Sequence, residues 1–294
     1  MSAVFRKELR ALLGGLTGWG FFALLLAAAG VSMFFVNIQS GSPLFSENTR
    51  WLALGMALAC GLLCADAYPA ERREKTERAL YALPLTGRAV FFGKLLARLA
   101  TLLIGCALLA LYPVVFSLAV PAAAMSEGLG CVLVVAVMGL LFTAAALACS
   151  AFCRSGLIAF IAYAALTALC WFAAPIAARV GSMTALSPLM LVLLPALAGL
   201  LAWMISEDVL IGFAAAAVAL APVLFNHLRG SDAAVFGGIA KGLRACAVFE
   251  PLSLAMRGLV DLSSIVYWLS AAALMTVIGL MAAGARRRGK RRAL

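Results

Sequence analysis

Residues 128–153 read GLGCVLVVAVMGLLFTAAALACSAFC, a run without Asp, Glu, Lys or Arg. A helix needs about 20 consecutive apolar residues to cross a bilayer, and this run is long enough for one. Residues 11–46, 99–126, 155–178, 180–206 and 262–285 are equally free of charge. Two shorter runs join them: 51–65, closed by Asp66, and 209–225, between Glu207-Asp208 and His227. The pattern predicts an all-α polytopic membrane protein of about eight spans, at roughly 17–37, 51–68, 95–120, 128–152, 156–178, 188–205, 209–225 and 261–284.

Composition agrees. Hydrophobic residues make up 65% of the 294, charged residues 12%, and the mean hydropathy is +1.09. Soluble domains carry about 25% charged residues. A soluble globule of this length could not hide so much apolar surface, whereas lipid can take the place of a buried core. No polar stretch is long enough to fold separately, so 1–294 is read as a single transmembrane domain. Arg6, Lys7 and Arg10 precede the first apolar run, but no small-residue cleavage site followed by a polar sequence comes after it. The first span is therefore expected to stay in the membrane.

The distribution of Lys and Arg sets the expected orientation. Placing the N-terminus in the cytoplasm puts 1–16, 69–98, Arg154 and the basic tail 286–294 on the inner side. Only Arg50, Arg179, Arg229, Lys241, Arg244 and Arg257 are then left outside. This satisfies the positive-inside rule, and an even helix count returns the C-terminus to the cytoplasm. Residues 226–259 become an outer loop. The net charge of +11 is then an orientation signal facing the anionic inner leaflet, with membrane lipid as its partner, and implies no nucleic-acid partner. The pair 188–225, turning at Ser206-Glu207-Asp208, is read as an extra hairpin; a re-entrant pair is the alternative.

Several chemistries are disfavoured. Gly87 and Gly93-Lys94 are separated by five residues where a phosphate-binding loop needs four, and Leu95 replaces its Ser or Thr. The single histidine, His227, supports neither a zinc-protease motif nor a His-based triad. Cys60 with Cys64, and Cys149 with Cys153, share helix faces at i, i+4. No neighbouring His or carboxylate set completes a metal site, so these cysteines are read as small packing residues. Asp66 and Arg98 fall near the inner ends of spans two and three, where both can reach the interface. Mid-span carboxylates of the kind an ion-driven transporter uses are missing. No catalytic, cofactor-binding or metal residue is assigned.

Two segments carry specific information. Between spans two and three the chain reads Glu71-Arg72-Arg73-Glu74-Lys75-Thr76-Glu77-Arg78-Ala79-Leu80-Tyr81-Ala82-Leu83-Pro84-Leu85-Thr86. Glu71 with Lys75 and Glu74 with Arg78 are i, i+4 pairs in the favourable order. Leu80 and Leu83 give a short apolar face, and Pro84 stops the helix. The second segment runs from Phe249 through Gly258-Leu259-Val260-Asp261-Leu262 to Tyr267-Trp268-Leu269-Ser270. There Asp261 is a good N-cap for a helix starting near Leu262, and Tyr267 and Trp268 are candidate membrane-interface residues. At the N-terminus, Phe5, Leu9, Leu12 and Leu13 share one helical face with the charges opposite, a pattern that suits a helix lying flat on the inner leaflet.

These stretches resemble the permease subunits of ABC transporters of the type-two export family. The first matches in Glu71, Lys75-Thr76, Leu80, Pro84-Leu85-Thr86 and Gly93-Lys94. The second resembles the closing block of the gliding-motility-type branch. The resemblance implies that 1–14 is an elbow helix and that 71–84 is a coupling helix docking on a cytoplasmic ATPase through Glu71, Arg72, Arg73, Lys75, Thr76, Glu77, Leu80, Leu83 and Pro84. Phe249, Gly258, Asp261 and Tyr267 would form the closing motif. ATP and magnesium would be bound by the partner ATPase, with no cofactor on this chain. A second permease chain, self or sister, would complete the transporter in the bacterial cytoplasmic membrane, with room for an extracytoplasmic partner. The chain departs from the family in carrying Asp66 where an Arg is usual, and in the extra pair 188–225 beyond six crossings. The expectation is a non-enzymatic permease exporting an amphipathic or apolar substrate, or transmitting force. The alternatives are a non-transporting membrane anchor and, further off, a membrane-embedded enzyme.

Overall fold

The computed structural model describes residues 2–74, 87–120, 124–180 and 232–291, with positions 199, 214 and 216–218 between them. Among these residues the chain is helical throughout, with no strand. The elements are α1 (Ser2–Gly14), α2 (Leu16–Met33) running into a π-helical turn (Phe34–Gln39), and a 3₁₀ turn (Phe45–Asn48) leading to α3 (Thr49–Ala65). Next come α4 (Pro69–Arg73), α5 (Gly87–Leu109), α6 (Leu111–Ala119), α7 (Met125–Phe152) and α8 (Gly156–Val180). The last are α9 (Asp232–Ala245), α10 (Leu252–Ala255) and α11 (Leu262–Arg291).

Among the described residues six segments are long and apolar enough to cross a membrane: Leu16–Gln39, Phe45–Arg73, Gly87–Ala119, Met125–Phe152, Gly156–Ala178 and Leu262–Gly284. Each overlaps one of the six charge-free stretches expected outside 188–225, which makes this a membrane-embedded chain. The two further spans expected at 188–205 and 209–225 lie outside the described residues, apart from the isolated positions. The third span begins at Gly87 rather than at Leu95, because Val90 and Phe91 are buried and carry the apolar face back. This places Lys94 and Arg98 within the helix. The span breaks at Ala110, between α5 and α6. Pro113 has no N–H for the Leu109 carbonyl, and its ring crowds that turn.

The chain divides into two compact units, Met1–Thr167 with Pro251–Leu294, and Ala168–Glu250. In the first, α7 is the central helix. Its apolar window is 78% buried, against 17% for the last span, and it packs on α3, α5 and α11. Small residues permit the close approach. A Cβ on Gly55 would come within 2.4 Å of the Ala28 Cβ, so α2 and α3 meet where neither side chain extends far. Cys60 and Cys64 are fully buried. Their thiols lie 3.9 Å from the Gly139 carbonyl and 3.7 Å from the Thr143 carbonyl of α7, so both pack as small residues. Tyr163 of α8 donates to the Ala57 carbonyl of α3 at 2.9 Å.

Trp268 is 1% exposed and is one of the largest fully buried side chains. It is a core residue and not the interface anchor its sequence position suggests. Helical spacing turns it to the same side of α11 as buried Ser264 and Ala272. In the second unit, Trp171 of α8 meets Phe249 edge-on with ring centroids 4.9 Å apart. Backbone bonds from Val248 to Cys246 and from Glu250 to Ala247 close the turn that follows α9.

Candidate functional site

The site grows from one buried cation. Lys94 lies on α5 with 1% of its side chain exposed. An ammonium has three protons to donate, and all three find oxygen. Nζ lies 3.0 Å from Glu8 Oε1 of α1, 2.7 Å from Glu71 Oε1 of α4, and 2.7 Å from the Ala67 carbonyl. The Tyr68 ring lies beside it, 5.1 Å from Nζ to the centroid, within cation–π range. One turn further along α5, Arg98 Nη1 donates to Glu8 Oε2 at 3.2 Å and to the Lys94 carbonyl at 3.1 Å. Glu8 thus bridges both cations, one oxygen to each. Two positive and two negative groups balance, as a buried cluster requires.

Electrostatics and position explain each other. Burial acts to raise the Glu8 carboxyl, but the Lys94 and Arg98 charges and hydrogen bonds outweigh it, and the net shift is below the ordinary carboxylate range. Glu8 therefore stays ionised and ties α1 to α5. The face of α1 that packs inward carries Val4, Glu8 and Leu12, spaced by four. Phe5 and Leu9 are only half-buried, and Leu13 is exposed. The expected apolar face is rotated because the two cations on α5 draw Glu8 inward. Arg98 likewise turns inward. It is 3% exposed, and Glu8 neutralises it in place.

A second clasp lies next to the first. Arg72, adjacent to Glu71 on α4, donates from Nη1 to the Cys153 carbonyl at 2.6 Å and from Nη2 to the Ala151 carbonyl at 3.4 Å. These carbonyls belong to the C-terminal end of α7, where unmet acceptors and the helix dipole favour a cation. Ser150 Oγ donates to the Ala65 carbonyl at 3.0 Å, and Tyr68 N donates to Ser150 Oγ at 3.3 Å. Asp66 sits against the first residue of α8. A Cβ on Gly156 would fall 1.9 Å from Asp66 Oδ1, so the glycine is what lets an acidic group approach that helix N-terminus.

Of the expected docking residues, Glu71 and Arg72 are engaged within the chain as described, and Arg73 is exposed beside exposed Glu74. Lys75, Thr76, Glu77, Leu80, Leu83 and Pro84 lie outside the described residues, as do the partners proposed for the i, i+4 pairs. In the closing motif Asp261 caps α11. It accepts from Ser263 N and Ser264 N, each at 3.3 Å, and from Ser264 Oγ at 3.1 Å. The Ser263 hydrogen bonds, foremost, and those of Ser264 hold its carboxyl below the usual range. Gly258 adopts a left-handed φ of 75° and packs where an added Cβ would meet Glu127 Cγ at 3.3 Å. Glu127 in turn accepts from Ser46 N at 3.1 Å. Tyr267 is half-buried on α11.

Sequence reasoning missed Glu8, Lys94 and Arg98 as a group. A signal existed in part: two cations at i, i+4 inside an otherwise apolar helix need carboxylates, but nothing in the chain order singles out Glu8, 86 positions from Lys94, as the one that serves both. Among the described residues, no three His, Cys, Asp or Glu side chains are grouped to hold a metal ion. No protein-family model, curated protein or solved structure matches the chain.

Proposed function

We propose that this chain is the permease subunit of an ABC exporter. ATP would be hydrolysed on a separate cytoplasmic ATPase that docks on the stretch following α4. A second permease, self or sister, would bring the second docking stretch. The observation that carries the proposal is the Glu71–Lys94 pair at 2.7 Å. These residues are the two ends of the stretch that resembles the export-family signature, and they close on each other. An acid at one end and Gly-Lys at the other then have a physical purpose, because together they fix the root of the docking segment against the third span. Glu8 extends the same cluster to the N-terminal helix, in keeping with an elbow helix on the inner leaflet.

Lys94 and Arg98 are already neutralised by Glu8 and Glu71, so they offer no free charge to a hydrophilic solute. This favours an amphipathic or apolar substrate, or transmission of force without a transported solute. Purification of the full chain from bacterial cytoplasmic membranes in mild detergent should bring down an ABC ATPase. Charge reversal at Arg73, Glu74 and Glu77 together should release that ATPase while leaving the permease inserted. A wild-type chain that carries no ATPase would defeat the proposal.

A further inference from the structure

Glu71 and Arg72 are neighbours on α4, yet they grip different spans. Successive residues on a helix point about 100° apart. Glu71 turns to Lys94 of α5 at 2.7 Å, and Arg72 turns to the end of α7, to the Cys153 carbonyl at 2.6 Å and the Ala151 carbonyl at 3.4 Å. Around Arg72 the chain is fastened twice more, by Ser150 Oγ on the Ala65 carbonyl and by Tyr68 N on Ser150 Oγ. Arg73 and Glu74, the next two residues, are exposed.

We infer that Arg72 is a positioning residue that clasps the root of the docking stretch to the C-terminal end of the fourth span, so that the surface open to a partner begins at Arg73. The inference rests on the permease reading for its partner and revises which residues meet it. A push on the stretch after Arg73 reaches the third span through Glu71–Lys94 and the fourth through Arg72 and the α7 carbonyls. Two spans are thereby moved by one short helix. Guanidinium suits the task because its planar fork can reach two carbonyls of one helix end at once.

The test uses Arg72→Gln and Arg72→Lys in the full-length chain, purified with its ATPase. Two readouts are taken: permease-stimulated ATP hydrolysis, and the maleimide labelling rate of Cys153 by peptide mass spectrometry. In Arg72→Gln the ATPase should remain bound, and stimulated hydrolysis should fall. Cys153 should label about tenfold faster, the factor expected when a hydrogen bond from a charged group is lost. Arg72→Lys, which keeps the charge at the helix end, should restore much of both. Wild-type labelling or wild-type stimulation in Arg72→Gln would overturn the clasp. Loss of the ATPase from Arg72→Gln would also overturn it, because Arg72 would then be a docking residue. Absence of ATPase from the wild-type preparation is a separate failure, that of the permease reading, and the Cys153 rate still decides the clasp by itself.

Discussion

Replacing Lys94 by Met tests the central cluster most directly. The methionine keeps the bulk of the stem and removes the ammonium. Three hydrogen bonds of 2.7–3.0 Å disappear with it, and Glu8 and Glu71 lose the cation between them. Removing one member of a buried ion pair costs about 3–5 kcal/mol. Glu8 and Glu71 keep 13% and 14% of their side-chain surface exposed. Water can therefore relieve part of the loss, which points to the lower end, about 3 kcal/mol. At about 2–4 °C per kcal/mol for a chain of this size, the apparent Tm should fall by roughly 6–12 °C. Intrinsic tryptophan fluorescence of the detergent-solubilised protein during heating reads this directly. The double variant Lys94→Met/Glu71→Gln should lose less than the single, because one stranded charge is gone. The pH dependence has a fixed sign. The Glu8 carboxyl lies below its ordinary value of 4.5 in the folded chain. Its contribution is complete above that value and is lost as pH falls through the lowered folded value. The gap between wild type and Lys94→Met should therefore hold from neutral pH down to about pH 5 and narrow below it. A Lys94→Met variant that melts within about 2 °C of wild type would refute the cluster as a stabilising junction.

Three further outcomes are expected. Trp268→Ala should destabilise by about 3–5 kcal/mol, the cost of emptying a large core site, and a near-neutral result in the same melting assay would return Trp268 to the membrane interface. Gly156→Val should displace Asp66, since even a Cβ would fall 1.9 Å from Oδ1; unchanged protease sensitivity of the α7–α8 turn in membrane vesicles would count against that contact. A single cysteine at Ser42, on a background without native cysteines, should react with a membrane-impermeant maleimide from the outer face of intact cells, and protection there would reverse the orientation.

Much of the fold was legible because the bilayer imposes a one-dimensional rule. A span must hold a long, apolar stretch poor in charge wherever it lies in the chain, so the cores of the six described spans could be read from where charges are absent. Local chemistry was equally legible. Asp261 caps α11 because a carboxylate placed just before a helix meets its first free N–H groups, whatever the helix later packs against. The same local logic placed Cys60 and Cys64 on one face, and the structure seats that face on α7.

What depended on tertiary packing was the fate of particular side chains. Lys94 read as part of a Gly-Lys motif, Arg98 as a residue able to reach the interface, and Glu8 as one charge on the polar side of an amphipathic helix. Their meeting required α1 to lie across α5, and α4 to end beside it. These are contacts between residues 86 and 23 positions apart that no periodicity records. Trp268 shows the same limit, since its place near the start of a span fits an interface anchor as well as a core residue. The sequence by itself determined which of the described segments are fit to cross a membrane, because hydrophobic length is a property of the segment alone, whereas the bounds of the second and third spans shifted with packing. Only the tertiary structure decided which charges are buried and against what, because desolvation and pairing depend on neighbours that the fold, and not the chain order, supplies.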